Sequence, residues 1–228
     1  MIISHKHKFI FLKTNKTAGT SIEIALSEFC GEKDIITPIS PKDEQIRKGL
    51  DIRGPQNYKI PLSQYFTGNW IRFIKKRKRR LFYNHICASK VKGLIGEEVW
   101  NGYYKFCFER NPWDRVISLY YHQTKEPRPS ISEFIESKRL SVLKKRGFQV
   151  YTIDGKLAID RVYLYEDLNK EIKKISKRFG FPHQLNLPQA KANYRTDKRH
   201  YREILSHEES LKISSMFAQE IELFKYEY

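Results

Sequence analysis

The strongest constraint on the fold is the run from Lys8 to Leu26, KFIFLKTNKTAGTSIEIAL. Phe9 to Leu12 are consecutive apolar residues, the pattern of a buried strand, and Ile22, Ala25, Leu26 and Phe29 then recur at helical spacing. Between strand and helix lies KTNKTAGTS, with two lysines, three threonines, a serine and a single glycine. A turn of that composition at the start of a helix offers backbone N–H groups and hydroxyls to an anion.

The same order recurs twice. In YYKFCFE, Tyr104, Phe106 and Phe108 share one side of a strand, which runs into RNPWDRVISLYYHQ. Asn111 predicts an N-cap, Pro112 the first helical position, and Trp113, Val116, Ile117 and Tyr120 a core-facing stripe. Asp114 reads as a favourable charge in the first turn. Ser118 is off the stripe and about two turns beyond Asn111, so its hydroxyl faces the strand-to-helix turn. Further on, Val162 to Tyr165 predict a strand, and Leu168, Ile172, Ile175 and Phe179 one helix face that stops at Gly180. A capping box of Ser206 and Glu209 opens a last helix through Phe217, Ile221 and Phe224. Repeated strand-then-helix units predict an α/β fold, a mostly parallel sheet flanked by helices. Ligands of such sheets bind beyond the carboxyl ends of the strands, where both polar turns fall.

With 228 residues and 40% hydrophobic content, the chain suits a single domain spanning 1–228. Between Gly31 and Asn84 the pattern weakens into TPISPKDEQ, RGPQNYKIP and the basic run Lys75 to Arg80. Residues 31–84 read as an insertion of irregular chain or short helices, placed on the acceptor side because it lies outside both turns. The basic run reads either as a solvated face or as a contact with an acidic acceptor or surface. Cys30, Cys87 and Cys107 are widely spaced in apolar surroundings and predict reduced, buried thiols. No stretch reaches the length of a membrane span, and MIISHKHKFIFL lacks the order of a signal peptide, which predicts a cytoplasmic protein. Lys plus Arg total 43 against 26 Asp plus Glu, a formal charge of +17 that favours an anionic partner: nucleic acid, nucleotide, acidic glycan or lipid surface.

The first turn lacks the Gly-Lys-Ser/Thr of a Walker A loop, and Lys16 precedes the glycine. NKTAGTS instead resembles the 5′-phosphosulfate loop of sulfotransferases, and FERNPWDRVISLYYH is similar to their 3′-phosphate site. The resemblance extends to NHICASKVKGLIGEEVW, LYEDL and the C-terminal YREILSHEE, and is closest to the carbohydrate, heparan 2-O-like branch with its bacterial relatives. It implies a P-loop-like fold and in-line transfer of the sulfuryl group of 3′-phosphoadenosine 5′-phosphosulfate to a hydroxyl of a carbohydrate-like acceptor. The product nucleotide is 3′-phosphoadenosine 5′-phosphate, and no metal is required. The implied partner is a glycan or other hydroxyl-bearing acceptor, anionic to suit the charge, and not a nucleic acid.

By the same resemblance, Lys16 stabilises charge on the bridging oxygen and Lys13 assists it. Thr17, Ala18, Gly19, Thr20 and Ser21 hold the 5′-phosphate, and Arg110 and Ser118 the 3′-phosphate. Lys191 and Arg195, in a basic loop that closes over the nucleotide in relatives, reach the 3′-phosphate as well. His85 matches the family's base, with His122 as runner-up. Two other readings stay open. A P-loop kinase needs a lysine after the glycines, Mg²⁺ and an Asp at a strand end, where this chain has Glu109-Arg110. A non-catalytic nucleic-acid binder suits the charge but calls for exposed aromatics beside the basic residues.

Overall fold

The computed structural model describes the chain apart from residues 63–66, 78, 80 and 190–194. Lys191 lies outside the described residues. The strands are β1 (Ile2–Ser4), β2 (Phe9–Phe11), β3 (Ile35–Ile36), β4 (Tyr104–Glu109), the hairpin β5 (Thr152–Ile153) and β6 (Lys156–Leu157), and β7 (Arg161–Leu164). Five of them form one sheet in the order β3-β1-β2-β4-β7. β1 is antiparallel to both neighbours, whereas β2–β4 and β4–β7 are parallel, so β1 alone runs against the other four. Leu12, expected as the last strand residue, extends the ladder through its N–H to the Phe106 carbonyl at 2.9 Å.

The first helices are α1 (Gly19–Ser27), α2 (Pro41–Gly49), α3 (Thr67–Lys76), α4 (Ala88–Gly102), α5 (Pro112–Gln123) and α6 (Ile131–Glu136). They are followed by α7 (Ser141–Lys145), α8 (Phe148–Tyr151), α9 (Leu168–Arg178), α10 (Tyr201–Ile204), α11 (His207–Met216) and α12 (Ala218–Phe224). The period of two along β2 and β4 divides the core. Phe9, Phe11, Phe106 and Phe108 pack against Ile22, Ala25 and Leu26 of α1 and Ile172 and Ile175 of α9. On the other face Ile10, Leu12 and Cys107 meet Val91 and Trp100 of α4 and Val150 and Tyr151 of α8. α4 kinks at Gly96, whose φ of +82° suits a residue without Cβ. A third cluster joins α5, α6, α7 and α11 through Trp113, Val116, Ile117, Phe134, Leu143 and Ile213.

Local signals account for most boundaries. Asn111 accepts from the N–H groups of Trp113 and Asp114 and starts α5 at Pro112. Gly180, at φ +62°, follows α9, and the Phe181 N–H closes on the Ser176 carbonyl at 3.0 Å. The Ser206–Glu209 capping box opens α11. The last helix is not continuous: Phe217, at φ −120° and ψ 29°, leaves the helical region and separates α11 from α12, with its ring fully buried. Residues 31–84 contribute β3 to the sheet as well as α2 and α3. Cys30 and Cys107 are buried thiols, but Cys87 is only half-buried, because it stands at the start of α4. Among the described residues no helix is long and apolar enough to cross a membrane.

Candidate active site

From β2 the chain leads through α1 to β3 on one side of the sheet, and from β4 it leads to β7 on the other. The carboxyl ends of β2 and β4 therefore flank the point where the winding reverses, the position at which open α/β sheets form a crevice. A cavity of about 520 Å³ lies there, within the usual range for small-molecule sites. Lys13 to Ser21 line it, together with Asn84, His85, Arg110, Ser118 and His122. The two turns, read separately in the sequence, thus face one space.

The first turn is held in an unusual conformation. Lys16 and Ala18 have φ of +67° and +56° around Thr17, and such alternation turns successive N–H groups toward one side. α1 then begins with no side-chain cap and no acidic residue in its first turn, leaving its positive end to the cavity. The Thr14 hydroxyl donates to the Phe108 carbonyl and contacts the Thr17 hydroxyl at 2.8 Å, fastening the turn to β4. At Gly19 a Cβ would stand 2.8 Å from Lys13 Cγ and 3.3 Å from the Thr14 carbonyl, so glycine permits this closure.

Lys13 is buried, and its ammonium lies 2.7 Å from Glu23 Oε2. Glu23 also meets the Met1 ammonium at 2.8 Å. Burial alone would raise the Glu23 pKa, but Lys13 and the Met1 ammonium outweigh it and hold the carboxylate ionised. The sequence suggests Lys13 as an assistant to Lys16; the structure gives its charge a partner inside the protein. Its backbone carbonyl has a second use, accepting a hydrogen bond from His85 Nδ1 at 2.8 Å. A carbonyl cannot donate, so Nδ1 carries the proton and the neutral ring keeps the Nε2 lone pair. Burial and then the Lys13 charge push the His85 pKa down to about 3.

The second turn reaches the first directly. Arg110 Nη1 donates to the Lys16 carbonyl at 3.1 Å, while Nε and Nη2 hold Asp114 Oδ2 at 2.9 and 2.6 Å. The guanidinium also lies over the Tyr165 ring, 4.1 Å from its centroid. Asp114 Oδ1 takes Arg195 Nη1 at 2.6 Å. Burial would raise the Asp114 pKa, and the two arginines more than reverse that. Arg195 lines a neighbouring cavity of about 310 Å³ with Asp114, Lys198, Arg199 and His200. Sequence reading treats Asp114 as a helix-start charge; its i, i+4 spacing from Arg110 is the signal that ties it to the site.

A buried pair supports the first turn from below. Arg115 Nη1 lies 2.6 Å from Glu109 Oε1, and its Nε donates to the Asn15 carbonyl at 3.0 Å. Tyr151 OH donates to Glu109 Oε2 at 2.9 Å. A Cβ on Gly147 would run into this guanidinium and stand 2.5 Å from the Leu143 carbonyl. Gly147→Ala is therefore expected to cost roughly 1–3 kcal/mol of stability, measured by denaturant unfolding; an unchanged midpoint would show that both the arginine and the Leu143 carbonyl have room to move.

Among the described residues no group of three or more His, Cys, Asp and Glu is arranged to hold a metal. Compared with known proteins, residues 1–152 match the sulfotransferase family. A relative from Archaeoglobus fulgidus, described as an uncharacterized protein, is 34% identical over 106 residues, which cover 44% of this chain and 87% of the relative. No solved structure matches the chain.

Proposed function

The chain belongs to the sulfotransferase family, and from that premise we propose that it transfers the sulfuryl group of 3′-phosphoadenosine 5′-phosphosulfate to a hydroxyl of a carbohydrate-like acceptor. The observation that carries this reading is the convergence of the first turn, Arg110 and His85 on one cavity. The N–H groups of Thr17 to Ser21 and the start of α1 suit the 5′-phosphate. Arg110 and Ser118, which line the same cavity, suit the 3′-phosphate, the guanidinium supplying a fork of donors.

The chemistry asks for two further groups. As the bond between sulfur and the 5′-phosphate oxygen breaks, negative charge builds on that oxygen, and Lys16 is the cation assigned to it. As the acceptor hydroxyl attacks sulfur, His85 Nε2 takes its proton. Ile39, Ser40, Asp43 and Asn84, all from residues 31–84, line the same cavity, which supports an acceptor-side role for that segment. The turns' resemblance to the carbohydrate branch supports a sugar hydroxyl. A kinase reading is not favoured, since no lysine follows Gly19 in the first turn.

Calorimetric titration with 3′-phosphoadenosine 5′-phosphate tests the proposal. Binding at micromolar Kd or tighter is expected, together with a loss of roughly 10- to 100-fold in Arg110→Ala, the range for hydrogen bonds to a charged group. Absence of binding to the folded wild-type protein would overturn the donor assignment. Equal affinity for adenosine 5′-phosphate would remove the 3′-phosphate role from Arg110 and Ser118.

A further inference from the structure

α3 and the chain that leaves it build a surface outside the cavity. Ile74 is 72% exposed, Ile71 50% and Trp70 39%, whereas Phe73 packs against the second core cluster and seats the helix on the body. At about 3.6 residues per turn, Trp70, Ile71 and Ile74 share one side of the helix, and Phe73 lies on the flank that meets the core. Lys75, Arg77 and Arg79 are exposed directly after them, within the unbroken basic run Lys75 to Arg80. Leu81 and Tyr83 follow, again exposed.

The mixture of side chains narrows the partner. A polyanion such as an acidic glycan would satisfy the basic run but would gain nothing from two open isoleucines. Hydrocarbon would satisfy the isoleucines and the indole but not the cations. An anionic bilayer surface offers both at once, with phosphates at the headgroup level and acyl chains just below it. The overall charge of +17 acts in the same direction. We propose that α3 and the exposed Lys75, Arg77 and Arg79 dock this protein on an anionic phospholipid bilayer, with Trp70, Ile71 and Ile74 entering the headgroup boundary. The chain passes from this surface straight to the cavity, since Tyr83 is exposed and Asn84 and His85 line it. Docking of this surface does not depend on which reaction the cavity performs.

The chain carries its own reporter. Of its three tryptophans, Trp100 and Trp113 are only 4% and 2% exposed, so Trp70 is the one whose emission a new environment would shift. The full chain is sedimented with vesicles of phosphatidylglycerol and phosphatidylcholine, and separately with phosphatidylcholine alone, while tryptophan emission and its quenching by brominated lipid are recorded. The expected result is cosedimentation with the anionic vesicles only, a blue shift, bromine quenching, and release by salt. Ile71→Glu combined with Ile74→Glu should weaken vesicle binding roughly tenfold or more, with an unchanged melting temperature. If that variant fails to fold, the quenching in the wild-type protein decides alone. No cosedimentation, or cosedimentation without a change in tryptophan emission, overturns the proposal. So does self-association without vesicles that the double substitution abolishes, which would assign the face to a second copy of the chain. An oligonucleotide that shifts the emission as strongly would assign it to nucleic acid.

Discussion

Lys16→Ala is expected to lower sulfuryl transfer roughly 100- to 1000-fold, the cost of losing one preorganised group that stabilises transition-state charge. The position of Lys16 sets the size of this effect. It is half-buried in the cavity lining, its φ of +67° is fixed by the turn, and its carbonyl is held by Arg110. Alanine adopts that backbone at a cost similar to lysine's, so the turn should persist and the loss should appear in kcat. Affinity for 3′-phosphoadenosine 5′-phosphate should fall far less, because the backbone N–H groups remain. Lys13→Ala is the contrasting case. It strips Glu23 of one buried partner at 2.7 Å while the Met1 ammonium and the Thr37 hydroxyl stay, and should lower stability by roughly 1.5–3 kcal/mol, the worth of a hydrogen bond to a charged group. Single-turnover kinetics and thermal unfolding of both variants separate the two lysines. Unchanged turnover in Lys16→Ala would move the charge-stabilising role to another cation of the cavity, of which Arg146 is the next in place.

What the sequence made legible was local. The strand, polar turn and helix at Phe9 to Leu26, and again at Tyr104 to Gln123, each carry their periodicity, cap and turn chemistry within about twenty residues, and the structure forms them as β2–α1 and β4–α5. β1 and β3 were not legible, because three and two residues become strands only through their partners in the sheet. Arg115 was hidden for a related reason. It sits between Trp113 and Val116 on the buried side of α5, and an arginine reads as solvated until its carboxylate is known. That carboxylate, Glu109, is six positions earlier, at the end of another element. Lys13 shows the same limit: only α1, folded back over the turn, brings Glu23 to it. Asp114 was visible as a residue of the first helical turn, but its second arginine comes from residue 195, which no local pattern connects to it.

His85→Ala should retain nucleotide binding and lose transfer by roughly 100- to 10,000-fold, the span of a positioned general base. The ring is already set for that role. Its Nδ1–H is committed to the Lys13 carbonyl at 2.8 Å, which leaves Nε2 as an acceptor. With a pKa near 3 in the free protein, against an ordinary value of 6.5, the ring is neutral throughout the physiological range, and no protonated fraction has to be cleared before it acts. A polyanionic nucleotide beside Lys13 and Lys16 favours the charged form, so the pKa should climb on binding and the base should strengthen in the complex. The same displacement sets the pH dependence of stability. An unfolded histidine binds its proton near 6.5 and the folded one only near 3, so the unfolded chain holds more protons between those values. His85's contribution to stability is then complete above pH 6.5 and falls as the pH drops toward 3. NMR titration of the ring, with and without 3′-phosphoadenosine 5′-phosphate, checks both statements. A free-protein pKa near 6.5 would mean that the ring is solvated and not held by Lys13. A His85→Ala variant that loses nucleotide affinity while keeping its fold would make His85 a binding residue, and His122, on the same cavity at the end of α5, would become the base to test.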